Sequence, residues 1–235
     1  MNLTFILLQI TTPGAPADTL VNASPGADES VSLMDLALLG GWAMIPLIIL
    51  SFLGIYIFVE RYLALKKASN TPAGFMDRIK NMVVAEDFHG ARRLCAETST
   101  PVARMVDKGI SKLGFPLKNI EAAIENVGKI EINRLEQNLP VLATVAGAAP
   151  MLGFLGTVTG MIQAFMSIAQ AEGSVSPKDL SGGIYQAMVT TAVGLIIGLP
   201  AYVGYNYLVN KTDTIVHNME YTAIEFIDLL EEPQA

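Results

Sequence analysis

Three stretches of this chain, 36–59, 137–171 and 180–210, contain no Asp, Glu, Lys, Arg or His. Each exceeds the roughly 20 apolar residues that a helix needs to cross about 30 Å of hydrocarbon. In that solvent every backbone N–H and C=O must be paired within the structure, and for runs of this length the α-helix does so. The chain is therefore expected to be all-α: an integral membrane protein with three transmembrane helices and a helical cytoplasmic domain, helices two and three extending beyond the bilayer. Its composition agrees, since 51% of 235 residues are hydrophobic and only 16% charged, too apolar for an ordinary soluble domain.

The basic residues predict the orientation. Of 15 Lys and Arg, 13 lie within 61–134 and none in the first 60 positions, and such a loop stays on the cytoplasmic side. The expected organisation is a periplasmic extension (1–37), a first span (38–60) and a cytoplasmic helical domain (61–138). A second span (139–171), a periplasmic turn (172–183), a third span (184–208) and a cytoplasmic C-terminal helix or tail (209–235) follow. Trp42 suits the interfacial belt, and Glu60, Arg61, Lys66 and Lys67 mark the opposite boundary, Glu60 reading as an anchor rather than a proton site. Near the start, the apolar patch 5–10 and Ala15-Pro16-Ala17 resemble a signal peptide without its positive n-region. An uncleaved external extension is expected, with cleavage left open.

Charge excludes some functions. A net charge of -7 argues against a nucleic-acid partner. The loop mixes its 13 bases with nine acids, the pattern of a solvated face rather than a lipid-binding patch. Cys95 is the one cysteine, which rules out a disulfide within the chain. His89 and His217 lack neighbouring ligands, so no metal site and no cofactor are expected. No Ser-His, Cys-His or paired-carboxylate constellation falls within membrane reach, and an enzyme is not expected. Turn signals at Thr71-Pro72, Thr100-Pro101 and Gly114-Phe115-Pro116 divide the loop into three candidate helical segments. The last, 119–139, carries Ile120, Ile124, Val127, Ile132 and Leu135 at helical spacing. It either runs into the second span or breaks at Pro140.

The faces of the last two spans carry the most information. With Gly153 at the origin of a helical wheel, Ala146, Ala149, Gly156, Thr157, Gly160, Gln163, Ala164 and Ser167 fall within about 80° of it. Phe154, Leu155, Val158, Ile162, Phe165 and Met166 take the far side. The third span repeats the pattern: Gly183, Ala187, Thr190, Thr191, Gly194, Gly198 and Ala201 share an arc with Gln186 at its edge. Tyr185, Met188, Leu195, Ile196 and Leu199 lie opposite. Small residues in such rows let helix backbones approach, and close packing by Gly153, Gly156, Gly160, Ala164, Gly194 and Gly198 accounts for them. A second reading adds that Thr157, Gln163, Gln186, Thr190 and Thr191 present donors and acceptors to a shared axis, able to hydrate a polar path between assembled copies.

The run GFLGTVTGMIQAF at 153–165, with GIYQAMVTTAVGL at 183–195 followed by Pro200, resembles the signature of the MotA/TolQ/ExbB proton channel family. The resemblance extends over about 38–210 and is nearest the ExbB and TolQ branch, since the flagellar branch has four spans. It implies a homo-oligomeric ring in the bacterial inner membrane, usually a pentamer, surrounded by membrane lipid. That ring would enclose single-span helices of an ExbD-like or TolR-like partner. Proton flow would then drive motion passed on by a TonB-like or TolA-like protein. In such proteins the threonines matching Thr157 and Thr191 line the proton route, and an acid often occupies the position of Gln186.

That substitution matters, because an amide cannot bind and release a proton as a carboxylate does. With no Asp, Glu or His inside any span, the proton carrier is expected from the partner, where the family places an Asp. A charged acid costs about 2.5–3.5 kcal/mol at the centre of a membrane helix, and facing hydroxyl and amide groups would help to hold it. Alternatives are a TolQ-like envelope-maintenance subunit, a gliding or surface motor subunit, and a structural scaffold whose small-residue faces only pack helices.

Overall fold

A computed structural model of the chain describes residues 40–170 and 177–231, with backbone alone for 177–180. The expected extension 1–37 and its signal-like start lie outside the described residues. The described residues form helices and no strand. A 3-10 turn, Gly41–Ala43, opens α1 (Met44–Ala68), followed by α2 (Phe75–Val84), α3 (Phe88–Thr98), α4 (Pro101–Ile110), α5 (Leu117–Glu136), α6 (Leu139–Gln170) and α7 (Pro177–Glu231). Three helical stretches, Gly41–Ala68, Leu117–Gln170 and Ser181–Glu231, are long and apolar enough to cross a membrane. This is an all-α membrane protein.

Helix α6 packs antiparallel on α7, and α1 lies against both. The α1 contacts use small residues too: a Cβ on Gly54 would stand 3.1 Å from Val145 Cγ1, and one on Gly204 2.9 Å from the Phe58 ring. The opposite faces are bare. Phe52, Phe154, Met188 and Ile196 are all at least two-thirds exposed, a surface that suits acyl chains and would aggregate in water. Helices α2–α5 form a bundle with the end of α7, around Ile79, Val106, Ile124, Met219 and Phe226. Gly109 makes the slot for the Phe226 ring, since a Cβ there would lie 2.5 Å from Phe226 Cε1.

The loop differs from expectation in two places. Its first segment is two helices, broken where Glu86 takes φ 56° and Asp87 caps α3 by accepting from the Gly90 N–H at 2.9 Å. The last segment neither runs through nor breaks at Pro140. It ends at Glu136, and Asn138 turns the chain with φ 64°, a left-handed conformation that Asn tolerates. Pro140 instead sits in the first turn of α6, where its missing N–H has no intrahelical partner to lose. Helix α7 also starts earlier than expected and runs for 55 residues with Pro200 inside it.

Side chains join the pieces around that break. Arg61 is buried, pairs with the neighbouring Glu60, and donates to the Arg134 carbonyl at 3.1 Å. A carbonyl in the last turn of a helix has no following N–H to receive, so the guanidinium supplies one. Asn138 Nδ2 donates to Glu60 Oε2 at 3.2 Å. Further into the bundle, Glu131, only 3% exposed, takes hydrogen bonds from Arg104 and, at 2.7 Å, from Arg134. Two guanidiniums are what a carboxylate buried this deeply requires.

Cys95 faces the bundle core from α3. Burial pushes its thiol from 9.0 up to about 12, with Asp107 adding to the rise and Arg92 opposing it. Below pH 9 the folded protein should hold about a thousandfold less thiolate than the unfolded chain, and thiolate is the reactive form. Maleimide labelling of the folded protein is therefore expected to lag that in denaturant by at least this factor. Because the folded value is the raised one, the thiol's contribution to stability is complete below pH 9 and lost as pH climbs toward 12.

Candidate functional site

The seam between α6 and α7 is built backbone against backbone. A Cβ on Gly160 would come 2.7 Å from the Gly183 carbonyl oxygen, and one on Gly183 would come 2.8 Å from the Gly160 carbonyl oxygen and 2.9 Å from Ala164 Cβ. Gly153 faces the Thr190 carbonyl and the Cα atoms of Thr191 and Gly194, while Gly194 in turn faces the Ala149 carbonyl. Gly198 leaves room for the Pro150 ring, whose Cδ and Cγ would lie 2.5 Å from any Cβ there. Proline at 150 cannot bond the Ala146 carbonyl one turn back. That carbonyl also points at Gly198, 3.2 Å from where a Cβ would stand. Gly153, Gly156, Gly160, Ala164, Gly194 and Gly198 are all buried.

The five polar residues singled out from the sequence do not share one face. Thr190 is 0% exposed. Its side chain fills the place a Gly156 side chain would take, and its hydroxyl donates to its own helix, at 2.9 Å to the Ala187 carbonyl. Gln186 is half-buried against Gly41 in the turn that opens α1, where φ is 65° and a Cβ would strike the Gln186 amide. Met44 and Leu47 of α1 bury Ala149 on this same flank.

Thr157 and Thr191 fall on the other flank of the seam, away from α1. Both are half-buried. Thr191 Oγ1 crosses the seam to donate to the Gly153 carbonyl at 3.1 Å, and Thr157 Oγ1 donates to the next carbonyl, Phe154, at 2.5 Å. Two hydroxyls thus meet consecutive carbonyls of a single turn. Gln163 is exposed further along α6.

Neither helix of the seam carries an Asp, Glu, Lys, Arg or His over 139–170 or 181–210. Such a surface can order water and hold a charge brought by another chain, but it cannot itself exchange a proton through a carboxylate or imidazole. Sequence reasoning did not foresee the close approach of Gly40 to Thr190 and of Gly41 to Gln186, or the role of Asn138, whose signal was an Asn two residues ahead of a proline that opens an apolar run.

Three helices long and apolar enough to cross a membrane, two of them zipped along glycine and edged by hydroxyls, define a polytopic helical membrane protein. The chain belongs to the MotA/TolQ/ExbB proton channel family, whose model matches residues 97–221, a range that includes α6 and most of α7. Among curated relatives, the Tol-Pal system protein TolQ of Haemophilus influenzae is 36% identical over 43% of this chain and 43% of its own length. The biopolymer transport protein exbB1 of Vibrio cholerae is 35% identical over 41% of this chain and 42% of its own. A putative biopolymer transport protein ExbB homolog of Methanothermobacter thermautotrophicus is 28% identical over 55% of this chain and 46% of its own. The chain spans less than half the length of each of these relatives.

Proposed function

We propose that the chain is a proton-channel and stator subunit that encloses an ExbD/TolR-like single-span helix and couples proton flow to TonB-dependent energisation of outer-membrane transport. The observation that carries this is the pairing of Thr157 and Thr191 on consecutive carbonyls of one seam turn within the family match. In this reading the hydroxyls give up backbone bonds to hydrate a partner carboxylate while it is charged, and Gln186 serves as a neutral hydrogen-bonding stop. The ring is a homopentamer in the bacterial inner membrane with lipid on the bare faces of its spans. Its amino terminus is periplasmic, its bundle and carboxyl terminus are cytoplasmic, and a TonB/TolA-like protein takes up the motion.

A TolQ-like role in envelope maintenance is the second reading, favoured by the 36% identity to the Haemophilus TolQ. The two are separated by complementation of strains lacking each system. The shared mechanism is tested in liposomes carrying the chain and its single-span partner with a pH-sensitive dye inside. Proton uptake should appear with the pair and vanish when the partner's membrane Asp is changed to Asn. Uptake that persists after every intramembrane carboxylate of the partner is neutralised, or that the chain shows alone, overturns the proposal.

A further inference from the structure

We infer that Gln137–Asn138 is a hinge between α5 and the second span, α6, and that Glu60 and Arg61 form the clasp that holds it closed. Helices α6 and α7 reach the bundle in different ways. Helix α7 continues without a break from the seam to Phe226, which is fully buried under Gly109, so the third span and the bundle move together. Helix α6 shares the edge of the bundle's core through Leu139 and Leu142, but its backbone meets α5 across the break, where Gln137 has ψ 137° and Asn138 φ 64°. Beyond it, the Leu142 N–H meets the Asn138 carbonyl at a long 3.3 Å, and Pro140 brings no N–H of its own.

The break is held from outside. Arg61 grips the α5 side through the Arg134 carbonyl, Glu60 grips the α6 side through the Asn138 amide, and the two grips are paired with each other. One dipeptide of α1 therefore ties both sides of a joint that lacks helical hydrogen bonds of its own. Opening the clasp would free α5 and α6 to change angle at this joint, while the seam keeps the Thr190 side chain against Gly156 and the Pro150 ring against Gly198. Residues that absorb such movement are a few positions at element ends, like this pair.

Amide hydrogen exchange on the full chain in lipid nanodiscs tests this. With Glu60→Ala, the amides of 139 and 141–144 should exchange about tenfold faster, while those of 120–127 in α5 and 215–226 in α7 keep their wild-type rates. Glu60→Gln keeps one acceptor oxygen where the carboxylate uses two, for Arg61 and for Asn138, and should fall between Glu60→Ala and wild type. If Glu60→Ala does not assemble, Asn138→Gly gives the same readout, because glycine keeps the left-handed turn and removes the amide arm. No acceleration at 139 and 141–144, or an equal rise through α5 and α7, overturns the hinge in favour of a fixed bend.

Discussion

Gly194→Val should unseat the second span from the third. The new Cβ would stand 2.7 Å from the Ala149 carbonyl oxygen and 2.9 Å from Gly153 Cα. Both are backbone atoms, so no rotamer change relieves the clash and the two helices must separate. Overpacking of this kind costs about 1–3 kcal/mol where side chains can yield, and here they cannot. Separation would also break the Thr191 bond to the Gly153 carbonyl. The expected result is a large fall in melting temperature in detergent and little protein retained in membranes. Gly147→Ala is the control, since nothing lies within 4 Å of a Cβ there, and alanine favours a helix by up to about 1 kcal/mol. Equal stability of Gly194→Val and wild type would show that the seam is not closed as described.

Thr191→Val should abolish most partner-dependent proton uptake while leaving the fold in place. Valine keeps the shape and deletes one hydroxyl whose net hydrogen bond is worth about 0.5–1.5 kcal/mol, so the folded population changes little. Proton uptake is more sensitive, because losing about 1.4 kcal/mol at the rate-limiting barrier slows it tenfold. A decrease of tenfold or more is expected in the liposome assay, with Thr191→Ser restoring uptake. Thr190→Val makes the contrast: its hydroxyl is fully buried and bonded within its own helix, so uptake should stay within about threefold of wild type. Wild-type uptake by Thr191→Val would remove that hydroxyl from the mechanism.

The three spans could be read from charge-free runs because bilayer chemistry leaves few other structures for them. The wheels also separated the bare faces correctly, and Phe154, Phe165, Met188 and Leu199 are all exposed. What they could not assign was flank. A wheel merges the two sides of a seam into one arc, and only the position of α1, whose entry brings Gly40 against Thr190 and Gly41 against Gln186, puts Thr190 and Gln186 on one side and Thr157 and Thr191 on the other. Asn138 was missed for another reason. A left-handed residue is a choice made by tertiary contacts, here the Glu60 carboxylate, and local propensity only permits it. The expectation that helix three extends beyond the bilayer agrees with α7, which runs on past Lys211 to Glu231.

A single rod of 55 residues, about 80 Å at 1.5 Å per residue, gives the subunit an internal frame of reference. Torque applied beside Thr191 at one end meets resistance from the whole bundle around Phe226 at the other. In the stator role proposed above, a moving part threaded among several such subunits would turn against a housing that does not follow it.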